Sequence, residues 1–242
     1  MTAKTVLITG ANKGIGFESA KQLAQLGYKV YIGSRDKSNG QRAVNQLGEI
    51  GLTNVDFIEI DVTNMDSIKS ARQELGRKVQ HLDVLINNAG IYGDSEQTAT
   101  IISMETLRTV FEINFFGAVQ TTQAFIDLMK KSDQPRIVNL SSGLGSLTLQ
   151  SDPLWEYYRF KSTAYTASKA SLNAFTIMLA DELMDANFKV NSVNPGYTKT
   201  DFNNNTGEQP VEQAAKIVVK YATLDKNGVT GKFISQEGQL AW

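Results

Sequence analysis

Short apolar runs alternate along the chain with longer stretches whose apolar positions recur every three or four residues. TVLITG (5–10), KVYIG (29–33), VDFIEID (55–61), LDVLINN (82–88), RIVNLSS (136–142), KVNSVNPG (189–196) and KFIS (232–235) are mostly β-branched runs ending at Gly, Asn, Asp or Ser, which predicts strands. The periodic stretches predict helices over 14–26, 39–48, 64–78, 104–131, 164–185 and 211–223. In the fourth of these, Leu107, Val110, Phe111, Asn114, Phe115, Ala118 and Thr122 fall on one face. Strands this apolar need cover on both faces, so the alternation predicts an α/β fold: a parallel sheet with right-handed helical crossovers. No repeat, low-complexity tract or linker interrupts the pattern, and residues 1–242 read as a single domain. The Asn-rich stretch TDFNNNTGEQP (200–210) reads as a surface loop.

Composition narrows the function. With 242 residues and 41% hydrophobic content, the chain suits one domain with a sizeable core. A formal net charge of −1 gives no bulk electrostatic reason to expect nucleic acid or an anionic membrane as partner. There is no cysteine, which removes thiol nucleophiles, disulfides and Cys-ligated metals together. A Ser-His-Asp triad or a histidine metal site would depend on the single histidine, His81, whose place in VQHLDVLI reads as a turn or strand edge, so no metal is expected. No G-x-S-x-G elbow occurs. MTAKTVLITG leads directly into a strand pattern, and no apolar run reaches the ~18 residues of a membrane span. A cytoplasmic protein acting on a small molecule is the expectation.

The first strand ends in TGANKGIG, with Gly10, Gly14 and Gly16 ahead of a helix. Glycines there let backbone approach a pyrophosphate and aim a helix N-terminus at it, which predicts a dinucleotide site. The second strand ends YIGSRD. Ser34 at its tip carries no charge to repel a 2′-phosphate, Arg35 can grip one, and Lys13 can add a second cation; Asp36 can point away. This pattern favours NADP(H) over NAD(H).

Further motifs follow in order: Asp61-Val62, NNAG (87–90), Asn114, NLSS (139–142), YTASK (165–169) and NPGYTKT (194–200). With TGxxxGIG at the start, the chain resembles the short-chain dehydrogenase/reductase family over essentially its whole length. Asn12-Lys13 in the glycine loop, SRD, the extra residues before the tyrosine and the ending GVTGKFISQEGQLAW look most like the carbonyl-reductase-like branch. The resemblance implies a Rossmann-type, doubly wound, mainly parallel seven-stranded sheet and NAD(P)-dependent carbonyl/alcohol interconversion. It implies a catalytic tetrad of Asn114, Ser142, Tyr165 and Lys169, in which lysine and an oxidised nicotinamide lower the tyrosine pKa, serine bonds the reacting oxygen and Asn114 holds a water. It places the cofactor on Gly10, Asn12, Lys13, Gly14, Ile15, Gly16, Ser34, Arg35, Asp61, Val62, Asn88, Ala89, Gly90, Tyr165, Lys169, Pro195, Gly196, Thr198 and Thr200. The segment 197–210 is then a substrate lid.

Two choices need the sequence around them. Ser141 and Ser142 point to opposite faces of a strand end, and the family's NxSS pattern selects Ser142. Tyr157–Lys161 and Tyr165–Lys169 are both Tyr-x3-Lys pairs. Spacing from Ser142 favours Tyr157, but only Tyr165 precedes a long amphipathic run, with Leu172, Phe175, Leu179 and Leu183 at helical spacing. Ser162 or Thr163 is the expected N-cap of that helix, which leaves Lys161 outside it. Trp155, Tyr157, Tyr158 and Tyr197 are expected to line the substrate pocket, and 143–163 to form an inserted loop. The reading is an NADPH-dependent ketone or aldehyde reductase. The alternatives are a 3-oxoacyl thioester reductase, which the GKFISQEGQLAW ending disfavours, and a non-enzymatic NADP(H) sensor, which the intact tetrad disfavours. Assembly through helices 104–131 and 164–185, and a monomer whose 143–163 loop covers that face, are both compatible with the sequence.

Overall fold

A computed structural model of the chain describes residues 3–94 and 96–242. Alternating side chains of each inner strand divide between two cores. Val6 and Ile8 of β1 (Thr5–Ile8) and Ile86 of β4 (Val84–Asn87) pack beneath α1 (Gly14–Gln25), α2 (Lys37–Glu49) and α8 (Val211–Ala222). Leu7 and Leu85 face the other way, against Ile68 and Leu75 of α3 (Met65–Lys78), Phe125 of α5 (Gly117–Met129) and Leu179 of α7 (Thr163–Glu182). Each inner strand is therefore buried on both faces, as its unbroken apolar run requires.

The remaining strands are β2 (Lys29–Ser34), β3 (Val55–Glu59), β5 (Arg136–Leu140), β6 (Lys189–Val193), β7 (Lys232–Ser235) and β8 (Gly238–Gln239). Their order is β3-β2-β1-β4-β5-β6-β7-β8. The first seven run parallel, as expected of a doubly wound Rossmann-type sheet; β8, a two-residue edge strand, pairs antiparallel with β7. The chain reverses direction across the sheet between β1 and β4, which opens a crevice at the carboxyl ends of those strands.

Helix starts follow side-chain caps. The Asp36 carboxylate accepts from Asn39 N at 2.6 Å, Asn64 from Asp66 N and Ser67 N, and Ser103 from Thr106 N. The Asp36 cap also draws α2 two residues N-terminal of its predicted start. The predicted helix over 104–131 is divided: α4 (Met104–Phe111), a π-helical turn (Glu112–Phe116), then α5. The 143–163 loop holds a 3₁₀ turn at Gly143–Gly145 and the short helix α6 (Leu147–Ser151). Among the described residues, no helix is long and apolar enough to cross a membrane.

Candidate active site

The glycine loop joins β1 to α1 in the crevice. Gly10 has φ +63°, and a Cβ there would come within 2.9 Å of the Ala89 Cα. Only glycine allows the loop to lie this close to the end of β4. The two segments are stitched together: Asn88 Nδ2 donates to the carbonyls of Thr9 and Gly10, and the Thr9 hydroxyl accepts from the amides of Asn88 and Ala89. Lys13 is the N-cap residue of α1 but makes no side-chain cap, and the first turn carries no acid. That leaves a helix N-terminus whose N–H groups and positive dipole end suit an anion. At the tip of β2, Ser34 is buried and donates to the Asp36 carbonyl, while the Asp36 carboxylate is committed to capping α2. Arg35 is exposed beside them. These residues fit a phosphorylated dinucleotide.

On the opposite wall, Asn114 sits in the π-helical turn. The turn interrupts regular helix spacing just where Asn114 must reach out of the helix face. Its amide oxygen accepts from Ile91 N at 2.8 Å, and its Nδ2 donates to the Ile91 carbonyl at 2.9 Å and to the Ser168 hydroxyl at 3.1 Å. Gly90 lies between: a Cβ on it would fall 3.3 Å from Asn114 Oδ1 and 3.6 Å from Lys169 Nζ. Lys169 is buried on α7 and donates to the Leu140 carbonyl at 2.7 Å; its ammonium lies 5.7 Å from the centre of the Tyr165 ring. The Ser142 hydroxyl accepts from Leu144 N and lies near enough to the Tyr165 phenol to pull its pKa down, whereas the buried Ser141 hydroxyl has no partner among the described residues. The structure thus brings Asn114, Ser142, Tyr165 and Lys169 together.

The expected lowering of the phenol does not come from the chain's own groups. Burial pushes Tyr165 up to about 12, against the Ser142 hydrogen bond that pulls it down. Burial also brings Lys169 down to about 8. With its ammonium committed to Leu140, Lys169 does not outweigh desolvation of the phenol.

The second Tyr-x3-Lys pair is not a pair. Lys161 donates to Gln150 at its carbonyl and its side-chain oxygen, and lies 3.9 Å over the Tyr158 ring. Tyr157 instead packs against Trp155, Phe160 and Tyr197, with centroids 5.5, 6.0 and 6.4 Å away, and its hydroxyl reaches Glu208. Trp155, Tyr157 and Tyr197 pack in series, while the Tyr158 ring lies under the Lys161 ammonium. Burial, with Glu156 and Glu208, pushes the Tyr157 phenol up to about 12 as well.

Three neighbours of Tyr165 escaped the sequence reading. Tyr92 and Phe202 flank its ring at 5.3 and 5.7 Å, and buried Gln97 bonds its backbone. Phe202 had a signal, being the lone aromatic residue in the polar stretch 200–210; Tyr92 and Gln97 had none. The expected N-cap is also corrected. Ser162 stands at the N-cap of α7 but makes no cap, because its hydroxyl is taken by Tyr92. Finally, Lys13 bonds Asp201 across the crevice at 3.1 Å. Both side chains are largely exposed, so the pair contributes only ~0–1 kcal/mol and an arriving phosphate can displace it. Thr198 and Thr200 lie on the same segment as Asp201: Thr198 is buried, and the Thr200 methyl would be 3.6 Å from a Cβ on Gly14.

The family model described as short chain dehydrogenase matches residues 4–211. The chain belongs to the short-chain dehydrogenase/reductase family. A short-chain dehydrogenase of Penicillium roqueforti is 35% identical, covering 99% of this chain and 97% of the relative. Salutaridine reductase of Papaver bracteatum is 32% identical, covering 95% and 93%. The crystal structure of NADPH-bound carbonyl reductase from chicken fatty liver matches with a TM-score of 0.85 at 27% identity, over 100% of both chains. Both the expected family and its carbonyl-reductase-like branch are borne out, and with them an oxidoreductase.

Proposed function

We propose that the protein reduces a ketone or aldehyde to an alcohol with NADPH, and that Tyr165 gives the proton. The observation that carries this reading is the buried Tyr165–Lys169 pair, with Ser142 at the phenol, beside the glycine-loop crevice. A carbonyl becomes an alcohol by gaining a hydride at carbon and a proton at oxygen. Bound NADPH supplies the hydride. The protein must then hold the carbonyl and deliver the proton. A phenol at about 12 is fully protonated at neutral pH, the form a proton donor needs. The Ser142 hydroxyl, already at the phenol, can bond the same substrate oxygen as negative charge grows on it. Lys169, at about 8, is mostly charged at neutral pH and stabilises the phenolate left after transfer. Asn114 holds the Ile91 backbone at the floor of the site through two hydrogen bonds.

The choice of NADPH is supported by uncharged Ser34, exposed Arg35 and the diversion of Asp36 into a helix cap. The NADPH-bound carbonyl reductase neighbour agrees with it. Tyr92 and Phe202 at Tyr165, with Trp155, Tyr157 and Tyr197 further out, make an aromatic surround that suits an apolar, ring-bearing carbonyl compound. The test is loss of 340 nm absorbance with NADPH over a panel of cyclic, aryl and aliphatic carbonyls. Turnover concentrated on the ring-bearing members is expected. Measurable NADPH binding with no turnover on any member would instead favour a cofactor-sensing role.

A further inference from the structure

The catalytic helix lacks the cap its sequence provides for. Ser162, its N-cap residue, spends its hydroxyl on Tyr92, and the first backbone N–H groups of α7 need acceptors from elsewhere. Two of them find one residue. The Gln97 carbonyl accepts from Thr163 N at 3.1 Å, and its side-chain oxygen accepts from Tyr165 N at 3.1 Å. The side-chain NH2 of Gln97 donates to the carbonyls of Tyr92 at 2.7 Å and Asp94 at 3.0 Å. Gln97 is 3% exposed. It is therefore a buried clamp between the loop after β4 and the first turn of α7, and its partners are the backbones of two residues whose rings meet, Tyr92 and Tyr165.

We infer that Gln97 is a positioning residue for the reaction: it supplies in trans the N-cap of the catalytic helix and so sets where the Tyr165 hydroxyl stands relative to Ser142 and Lys169. This rests on the reading of Tyr165 as the proton donor. Tyr165 is the third residue of α7, in the turn that frays first when a cap is lost. The glycine loop is held by Asn88 and Thr9 instead, so loss of Gln97 leaves the dinucleotide contacts in place.

The test compares Gln97→Met, which removes the side-chain acceptor and donors but keeps the backbone carbonyl on Thr163 N, with Gln97→Glu, which loses the donors to Tyr92 and Asp94 but keeps an acceptor for Tyr165 N at a helix end that favours negative charge. In Gln97→Met, kcat is expected to fall on the order of 10–100-fold while the KM for NADPH stays within about twofold, since an ångström of misplacement costs about 100-fold. Gln97→Glu is expected to recover much of that loss. A Gln97→Met enzyme with unchanged kcat overturns the inference. So does a parallel loss of kcat, NADPH affinity and melting temperature that Gln97→Glu does not relieve, which marks a purely structural residue. Gln97→Asn, one methylene shorter, is read in the same way if Gln97→Met does not fold. Amide hydrogen exchange separates this inference from the proposed reaction. Gln97→Met must speed exchange at Tyr165, whose acceptor is the lost side chain, but not at Leu172–Leu179, whether or not a reducible carbonyl has been found. Unchanged exchange there sinks the clamp, whereas faster exchange in Gln97→Met, with a wild-type protein that reduces no carbonyl, sinks only the proposed reaction.

Discussion

Replacing Ser34 with aspartate tests the cofactor assignment at one atom group. Ser34 ends β2, is 3% exposed, and lies one residue before exposed Arg35. The nearest carboxylate in sequence, Asp36, is turned onto Asn39 N at 2.6 Å and brings little negative charge to the place where a 2′-phosphate would sit. Ser34→Asp puts a carboxylate there. Two unit charges about 4 Å apart repel by ~1 kcal/mol at the dielectric of water and ~4 kcal/mol at that of a protein surface. The phosphate carries more than one charge, so a loss of NADPH affinity of roughly 10–1000-fold is expected, whereas NADH gains an acceptor for its ribose hydroxyls. Dissociation constants from nicotinamide fluorescence, with kcat/KM for both cofactors, read this directly; a melting curve checks that the buried substitution folds. Arg35→Ala should move the same ratio in the same direction by a smaller amount. A variant that folds and keeps the wild-type NADPH-to-NADH ratio would refute the placement of the phosphate at Ser34–Arg35.

Lys169 leads to a prediction about stability. Its folded pKa is about 8 against 10.5 ordinarily, so between those values the unfolded chain binds the extra proton and stability rises with pH. Urea melts should show the wild type gaining roughly 2–3 kcal/mol on Lys169→Met between pH 8 and 10; a gap that does not change with pH contradicts the burial of this ammonium. Arg136 is 2% exposed, and its guanidinium donates to the carbonyls of Leu224, Pro135, Asn187 and Asp225. Arg136→Met strands those acceptors and should cost about 3–5 kcal/mol, lowering the melting temperature on the order of 10 °C with no change in the cofactor ratio; a shift of a degree or two would show the acceptors finding water.

The parts of the molecule legible in sequence are those written locally. A buried parallel strand announces itself as an apolar run, and Asn64 and Ser103 cap helices at their predicted starts, whereas the cap on Asp36 began α2 two residues before its predicted start. Tyr165 could be preferred over Tyr157 because an amphipathic run follows it, and the structure gives Lys161 to Tyr158 and Gln150. What was not legible depends on contacts distant in sequence. Gln97 meets Tyr165 and Thr163 from a loop with no periodicity. The Ser162 hydroxyl was drawn off by Tyr92, a competition no capping rule sees. The π-helical turn at Glu112–Phe116 was hidden because the buried positions Val110, Asn114, Ala118 and Thr122 run through it in four-residue steps, which a regular helix also allows. The rise of the Tyr165 phenol in the chain by itself was not legible, because spacing reports a neighbouring charge while burial is a property of the whole fold.

The proposed reaction turns on one phenol. Tyr165→Phe removes the proposed donor and keeps the ring that packs between Tyr92 and Phe202, while Tyr157→Phe removes the other hydroxyl four residues from a lysine. With NADPH binding verified for each, kcat for carbonyl reduction should fall about 100–10,000-fold in Tyr165→Phe, the usual contribution of a positioned acid, and stay near wild type in Tyr157→Phe. Comparable losses in the two variants, or a Tyr165→Phe enzyme that still reduces its substrate at the wild-type rate, would contradict it.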